Sequence, residues 1–358
     1  MSYKVKVTCL QFSFLSAALL FCLLAFSQPK QAPTDPRFVA VDQLFHQNQK
    51  VLGNFAAVVW QDGKIIYQQQ GSPDFTPKST APIAGAADWM TAALVMTFVD
   101  EGKLSLDDKV TQYIPLFGKY SKGYITIRNC LTHTTGIKDG EGVSKVLQKS
   151  KFETLEDEVN NYASHRDIGT NPGTEFFYSP IGINIAARVL EVISKKGFDR
   201  LMMERIIHPL KMKATSFAND DGGAINPAGG ARSCANDYIN FLVMLLNKGQ
   251  FGDRRILSEA AVEELEKAQL PALPVKYAPK DIQGAHFSLG AYITQAGAGG
   301  AASVMTCSNQ LGTTPYIDKC RNYAAILIVE KPEEDTKKSL YLSMKNLIDQ
   351  GLGGSGCQ

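Results

Sequence analysis

The spacing of apolar and polar positions divides the chain into a strand-rich start, a helical middle and a strand-rich end. In residues 38–50, Val39, Val41, Leu44 and Phe45 are spaced like one face of a helix. The runs 55–60 and 64–67 then flank Gln61-Asp62-Gly63, a hairpin signal. From about Gly85 to Gly284 the period is helical: Met90, Ala93, Leu94, Thr97 and Phe98; then Ile183, Ala186, Ala187, Leu190 and Ile193; then Phe241, Met244 and Leu245. Residues 286–330 return to strand character, clearest in Tyr323-Ala324-Ala325-Ile326-Leu327-Ile328-Val329, and a helix over 336–352 closes the chain. Strands at both ends of a helical insertion predict an α+β fold in which the two ends share a sheet. Residues 28–84 and 285–358 are then the sheet lobe, and 85–284 an all-α lobe.

Composition keeps this picture globular: 358 residues, 44% hydrophobic and 20% charged, suffice for one large domain or two intertwined ones. A net charge of +2 without a Lys/Arg block leaves no electrostatic footprint for nucleic acid. His46, His133, His165, His208 and His286 lack the paired spacing of a zinc site, and neither a metal nor a cofactor is expected.

Lys4 and Lys6 precede an apolar run from about Leu10 to Phe26, and Ala25-Phe26-Ser27 puts small residues where a signal peptidase reads. The expectation is a signal peptide over 1–27, cleavage after Ser27, and a secreted or periplasmic product. The run approaches the roughly 18 residues that span a bilayer, so an uncleaved membrane anchor is the alternative. Bulky Phe21 before Cys22 speaks against a lipid-modified cysteine. Without Cys9 and Cys22 the remaining cysteines are Cys130, Cys234, Cys307, Cys320 and Cys357, an odd number that argues against a complete disulfide framework. Cys307 and Cys320 flank a hairpin turn and either pair across it or remain buried thiols.

One stretch joins helical periodicity to candidate chemistry. Pro82-Ile83-Ala84-Gly85-Ala86-Ala87-Asp88-Trp89-Met90 opens a helix that runs on to Asp100-Glu101-Gly102-Lys103-Leu104. Leu131-Thr132-His133-Thr134-Thr135-Gly136, Asn171-Pro172-Gly173-Thr174 before Phe177-Tyr178-Ser179, Gly229-Gly230-Ala231-Arg232-Ser233 and Gly312-Thr313-Thr314-Pro315 follow in order. Over about residues 36–350 the chain resembles the serine β-lactamase and penicillin-binding-protein superfamily, in its branch of class C-like β-lactamases, D-Ala-D-Ala carboxypeptidases and esterases. The resemblance implies a β-lactamase/transpeptidase-like fold: an antiparallel sheet flanked by helices, an all-α lobe, and a site in the cleft between them.

That family works through three motifs, and each is altered at the matching positions. In Ser-x-x-Lys the serine attacks a carbonyl and the lysine shares its proton; here Gly85 and Asp88 stand in their places. In Tyr-x-Asn the tyrosine moves protons and the asparagine contacts the substrate amide; here the motif is Tyr178-Ser179-Pro180. In Lys/His-x-Gly the cation holds a substrate carboxylate; here Cys307-Ser308-Asn309 offers neither cation nor glycine. The replacements also suit local structure. A carboxylate at Asp88 gains roughly 0.3 to 1 kcal/mol from the helix dipole, and Ser179-Pro180 reads as an N-cap and first helical residue. His133 lies in a scaffold turn of the family and is read as a structural, hydrogen-bonded imidazole.

The reading that follows is an exported, non-catalytic protein that binds in the old cleft, lined by Gly85, Asp88, Tyr178, Ser179, Ser308 and Asn309. Its ligand is expected to be a peptidoglycan stem peptide, an acyl-amide or ester-like small molecule, or a protein partner. Two hydrolytic alternatives stay open. In one, Asp88 is the general base for a water at Gly85, with backbone N–H groups as the oxyanion hole. In the other, Ser79, Thr80 or Ser308 is a relocated nucleophile, although turn and strand hydroxyls are commoner there.

Overall fold

The computed structural model describes Met1 and residues 35–139, 150–218, 222–270, 273–297, 301–307, 311–331 and 337–353, the side chains of 337 and 338 excepted. Everything below concerns the unit Pro36–Gln358. The proposed signal segment lies outside the described residues. Among the described residues no helix is long and apolar enough to cross a membrane.

One antiparallel sheet contains β1 (Phe55–Gln61), β2 (Lys64–Gln70), β3 (His286–Phe287), β4 (Tyr292–Ala296), β5 (Ala302–Thr306), β6 (Thr314–Asp318) and β7 (Tyr323–Val329), in the spatial order β2-β1-β7-β6-β5-β4-β3. The early and late strands therefore meet: β1 pairs with β7 from Phe55↔Val329 to Gln61↔Tyr323. Asp62 (φ 47°) and Gly63 (φ 88°) close the β1–β2 hairpin with the left-handed pair that suits a two-residue turn.

The helices that cover the sheet or position the site are α1 (Val39–Gln47), α2 (Ala86–Asp100), α3 (Ile127–Leu131), α4 (Leu155–His165), α5 (Pro180–Ser194), α6 (Ala235–Leu246), α7 (Glu259–Glu266) and α8 (Lys337–Leu352). Strand β7 is buried on both faces, which is why its sequence is apolar without a break. Tyr323, Ala325, Leu327 and Val329 meet Phe38, Val41, Phe45, Tyr341, Met344 and Ile348, from the α1 and α8 side. Ala324, Ile326 and Ile328 join the larger core, against which α6 packs.

Three expectations need correction. Val39 is 45% exposed, so Val41 and Phe45 carry the buried side of α1. Helix α2 is buried from Ala86 to Phe98 rather than along one stripe, the mark of a helix enclosed by other elements. The pairing of Cys307 with Cys320 does not occur. Strands β5 and β6 pair Thr306↔Tyr316 and Val304↔Asp318, which puts these cysteines at opposite ends of β6. Strand rise separates them by roughly 16 Å, against a limit of about 7 Å between the Cα atoms of a disulfide. Cys307 is a buried free thiol, and Cys320 is disulfide-bonded to a partner outside the described residues.

Candidate functional site

Gly85 sits at the N-cap of α2, where a short strand, Ala81–Pro82, pairs with Arg232–Ser233 and Ile83 N–H donates to the Ala231 carbonyl at 3.0 Å. Ala84, the residue before it, is buried with φ 40°. A residue with a Cβ pays sterically for that conformation, and such strain collects at sites shaped for function. Tyr238 of α6 donates to the Ala86 carbonyl at 2.9 Å and fixes the helix start from below. On the sheet side, the Thr313 hydroxyl reaches the Pro82 carbonyl at 3.4 Å.

Asp88, in the first turn of α2, is 3% exposed. Tyr178 donates its phenol O–H to Asp88 Oδ2 at 2.9 Å. Tyr178 is delivered by the strand Phe176–Phe177, which runs parallel to Val275–Tyr277, and its own N–H bonds the Tyr277 carbonyl at 3.0 Å. Immediately after it, the Ser179 hydroxyl caps α5 by accepting from Ile181 N–H at 3.2 Å, and Pro180 occupies the first helical position.

The Ser179 carbonyl accepts from His133 Nδ1 at 3.0 Å. In a neutral imidazole this leaves Nε2 unprotonated, and Nε2 faces Asp88 Oδ2 at 3.9 Å, too far for a hydrogen bond. The His133 ring packs on Tyr178 with centroids 4.6 Å apart. Gly290, with φ 70°, permits the strand side to close in: a Cβ there would stand 2.6 Å from the Asp88 carbonyl oxygen.

Burial governs the electrostatics. Desolvation pushes Asp88 well above the usual carboxylate range, against the lowering effect of the Tyr178 hydrogen bond. Desolvation also holds His133 down to about 4, against the raising effect of its bond to Ser179. The Tyr178 and Tyr292 phenols and the Cys307 thiol are raised well above their ordinary values, by burial first and then by the field of Asp88. Burial is the largest cause of every one of these shifts, so the enclosure favours the neutral forms of the acids and of the imidazole. Burial works against the dipole advantage expected of an ionised Asp88, because it penalises the charge that would feel it.

The structure thus brings Asp88, Tyr178, Ser179 and Cys307 to one centre at the start of α2, beside Gly85, while Pro180 serves as the first residue of α5. Ser308 and Asn309 lie outside the described residues. Ser79 is occupied in a turn, accepting from Thr76 N–H at 2.9 Å, and the Thr80 carbonyl accepts from Arg232 at 3.2 Å. His133 is hydrogen-bonded as expected of a scaffold residue, yet it also flanks Asp88. Tyr292 had no signal in the sequence: it is one aromatic in an ordinary strand, and only the approach of Gly290 to α2 brings it into the centre. Among the described residues no three His, Cys, Asp or Glu side chains converge to hold a metal ion.

The family profile described as Beta-lactamase matches residues 41–340. Protein flp of Staphylococcus aureus strain MW2 is 26% identical over 145 residues, which are 40% of this chain and 29% of that protein. The D-alanyl-D-alanine-carboxypeptidase/endopeptidase AmpH of Escherichia coli K12 is 24% identical over 217 residues, 56% of each chain. The matches thus span between about a third and just over half of these relatives. A crystal structure from Bacteroides dorei DSM 17855 that carries a beta-lactamase assignment superposes with a TM-score of 0.78 at 26% identity, covering 87% of this chain and 98% of that one. The hydrolase EstCE1, with promiscuous acyltransferase activity, shares the fold at a TM-score of 0.69 and 17% identity, over 87% of this chain and 97% of that one.

Proposed function

The chain belongs to the beta-lactamase family, and from that premise we propose that it is an exported, non-hydrolytic member that binds an acyl-amide or ester-like ligand in the cleft its relatives use for chemistry. The observation that carries this reading is the pair Gly85 and Asp88 at the start of α2. Gly85 offers no atom to acylate. Three residues on, where a lysine would share the proton, stands a buried carboxyl bonded to Tyr178. Loss of a nucleophile in a comparable hydrolase costs on the order of 10⁶ in turnover.

The same burial weighs against Asp88 as a general base for water, since it disfavours the carboxylate form that a base needs. Among the described residues, Ser79, held within its own turn, has no base as hydrogen-bond partner. The D-alanyl-D-alanine specificity in the name of AmpH favours a stem-peptide ligand. Export is supported by the apolar N-terminal run and by the disulfide at Cys320, a bond that persists in oxidising compartments.

Turnover of a chromogenic β-lactam, of a D-alanyl-D-alanine peptide and of p-nitrophenyl acetate is expected to stay at the buffer rate, while the peptide raises the melting temperature saturably. Turnover abolished by Asp88→Asn would contradict the reading and give the role to Asp88-assisted water.

A further inference from the structure

The turn between β6 and β7, residues 319–322, carries Cys320, which is disulfide-bonded. Cys130, Cys234 and Cys307 are free thiols, so within this chain the partner is Cys9, Cys22 or Cys357. Cys9 and Cys22 fall in the unit Met1–Asp35, whereas Cys357 belongs to the same compact unit as Cys320, Pro36–Gln358. Cleavage after Ser27 would also take Cys9 and Cys22 away.

The last turns of α8 lie against the turn that holds Cys320. Asp318 is fully buried and organises it. Its Oδ1 accepts from the backbone N–H groups of Cys320 and Arg321, both at 3.0 Å. Its Oδ2 accepts from Arg321 Nη1 at 3.1 Å and from Lys345 Nζ of α8 at 3.4 Å. Lys345, itself 4% exposed, also donates to Asp349 Oδ2 at 2.7 Å, and Tyr323 donates its O–H to Asp349 Oδ1 at 2.8 Å. Arg321 Nη1 stands 3.9 Å from Asp349 Oδ2. Residues on both sides of Cys320 thus reach the end of α8. Charges buried in this way are costly once a partner leaves, so the cluster depends on the helix end staying on the turn. Gly353, with φ 67°, then ends the helix by donating its N–H to the Asp349 carbonyl at 3.0 Å. Cys357 follows four residues later, a reach of up to roughly 14 Å from Gly353.

We propose that Cys320 and Cys357 form a disulfide strap that fastens the end of α8 to the β6–β7 turn. As the S–S bond forms, the two thiols give up two protons and two electrons to a disulfide oxidant, which leaves as two thiols. The bond closes a ring over residues 320–357 that takes in β7 and α8, and so it restricts the unfolded chain as well. The strap holds whether the cleft binds or hydrolyses its ligand.

The test is peptide mapping of the full chain, oxidised in a glutathione redox buffer, alkylated in urea without reduction and digested with trypsin. The expected product is Cys320-Arg321 joined to residues 346–358, a pair that separates on reduction. Cys320 joined to residues 7–30, or recovered alkylated before reduction, would overturn the strap. Hydrogen exchange reads its mechanical part. Amides of residues 345–352 are expected to exchange at least about tenfold faster in Cys357→Ser, and equally so in the reduced wild type, which needs no substitution. Equal protection in the oxidised wild type and in both of these would show that the ion cluster alone holds the helix end, and would overturn the fastening role.

Discussion

Unfolded, the Asp88 carboxyl loses its proton near 3.8 and the His133 imidazole near 6.5; folded, Asp88 is raised and His133 lowered to about 4. The raised carboxyl contributes stability that falls as pH rises above about 3.8, and the depressed imidazole contributes stability that rises between about pH 4 and 6.5, so the two oppose each other there. In Asp88→Asn only His133 remains, and stability rises from about pH 4 to 6.5 and then levels. Urea unfolding of both proteins from about pH 4 to about pH 9 checks this; parallel profiles would show that burial does not raise Asp88. In the sequence, Asp88 was legible as a departure from the motif. The upward shift of its pKa was not, because that depends on an enclosure that no local pattern encodes.

Helix α5 was legible because its start is written in adjacent residues: Ser179 caps it and Pro180 fits the first position, where no N–H is needed. Ser179→Ala removes the acceptor for Ile181 N–H but keeps the backbone carbonyl that holds His133. It should destabilise by about 1 kcal/mol in urea without altering ligand binding; a loss of binding would mean that the hydroxyl acts in the centre itself. Helix α2 was legible as a helix but not as an enclosed one. The period runs through Met90, Ala93, Leu94, Thr97 and Phe98, whereas Ala86, Ala87 and Val95 are buried as well, against elements remote in sequence. The same enclosure disfavours the charged form of Asp88.

Across the molecule, the sheet that joins both chain ends could be anticipated from where strand and helix periods alternate, and β7 from its unbroken apolar run. The disulfide arrangement could not, since it depends on which ends of antiparallel strands face each other. Peptide mapping without reduction should find Cys320 in a disulfide, and Cys130, Cys234 and Cys307 alkylated only after unfolding; rapid alkylation of native Cys307 would contradict its burial beneath the site. The central claim is that a hydrolase scaffold here binds without forming a covalent intermediate. Intact-mass spectrometry of the full-length product after incubation with benzylpenicillin and, separately, a fluorophosphonate tests it most directly. The expected mass is that of the untreated protein in both cases. An adduct mapped to Ser79, Thr80, Ser308 or any other hydroxyl would mean that the nucleophile has moved and that the protein is an enzyme.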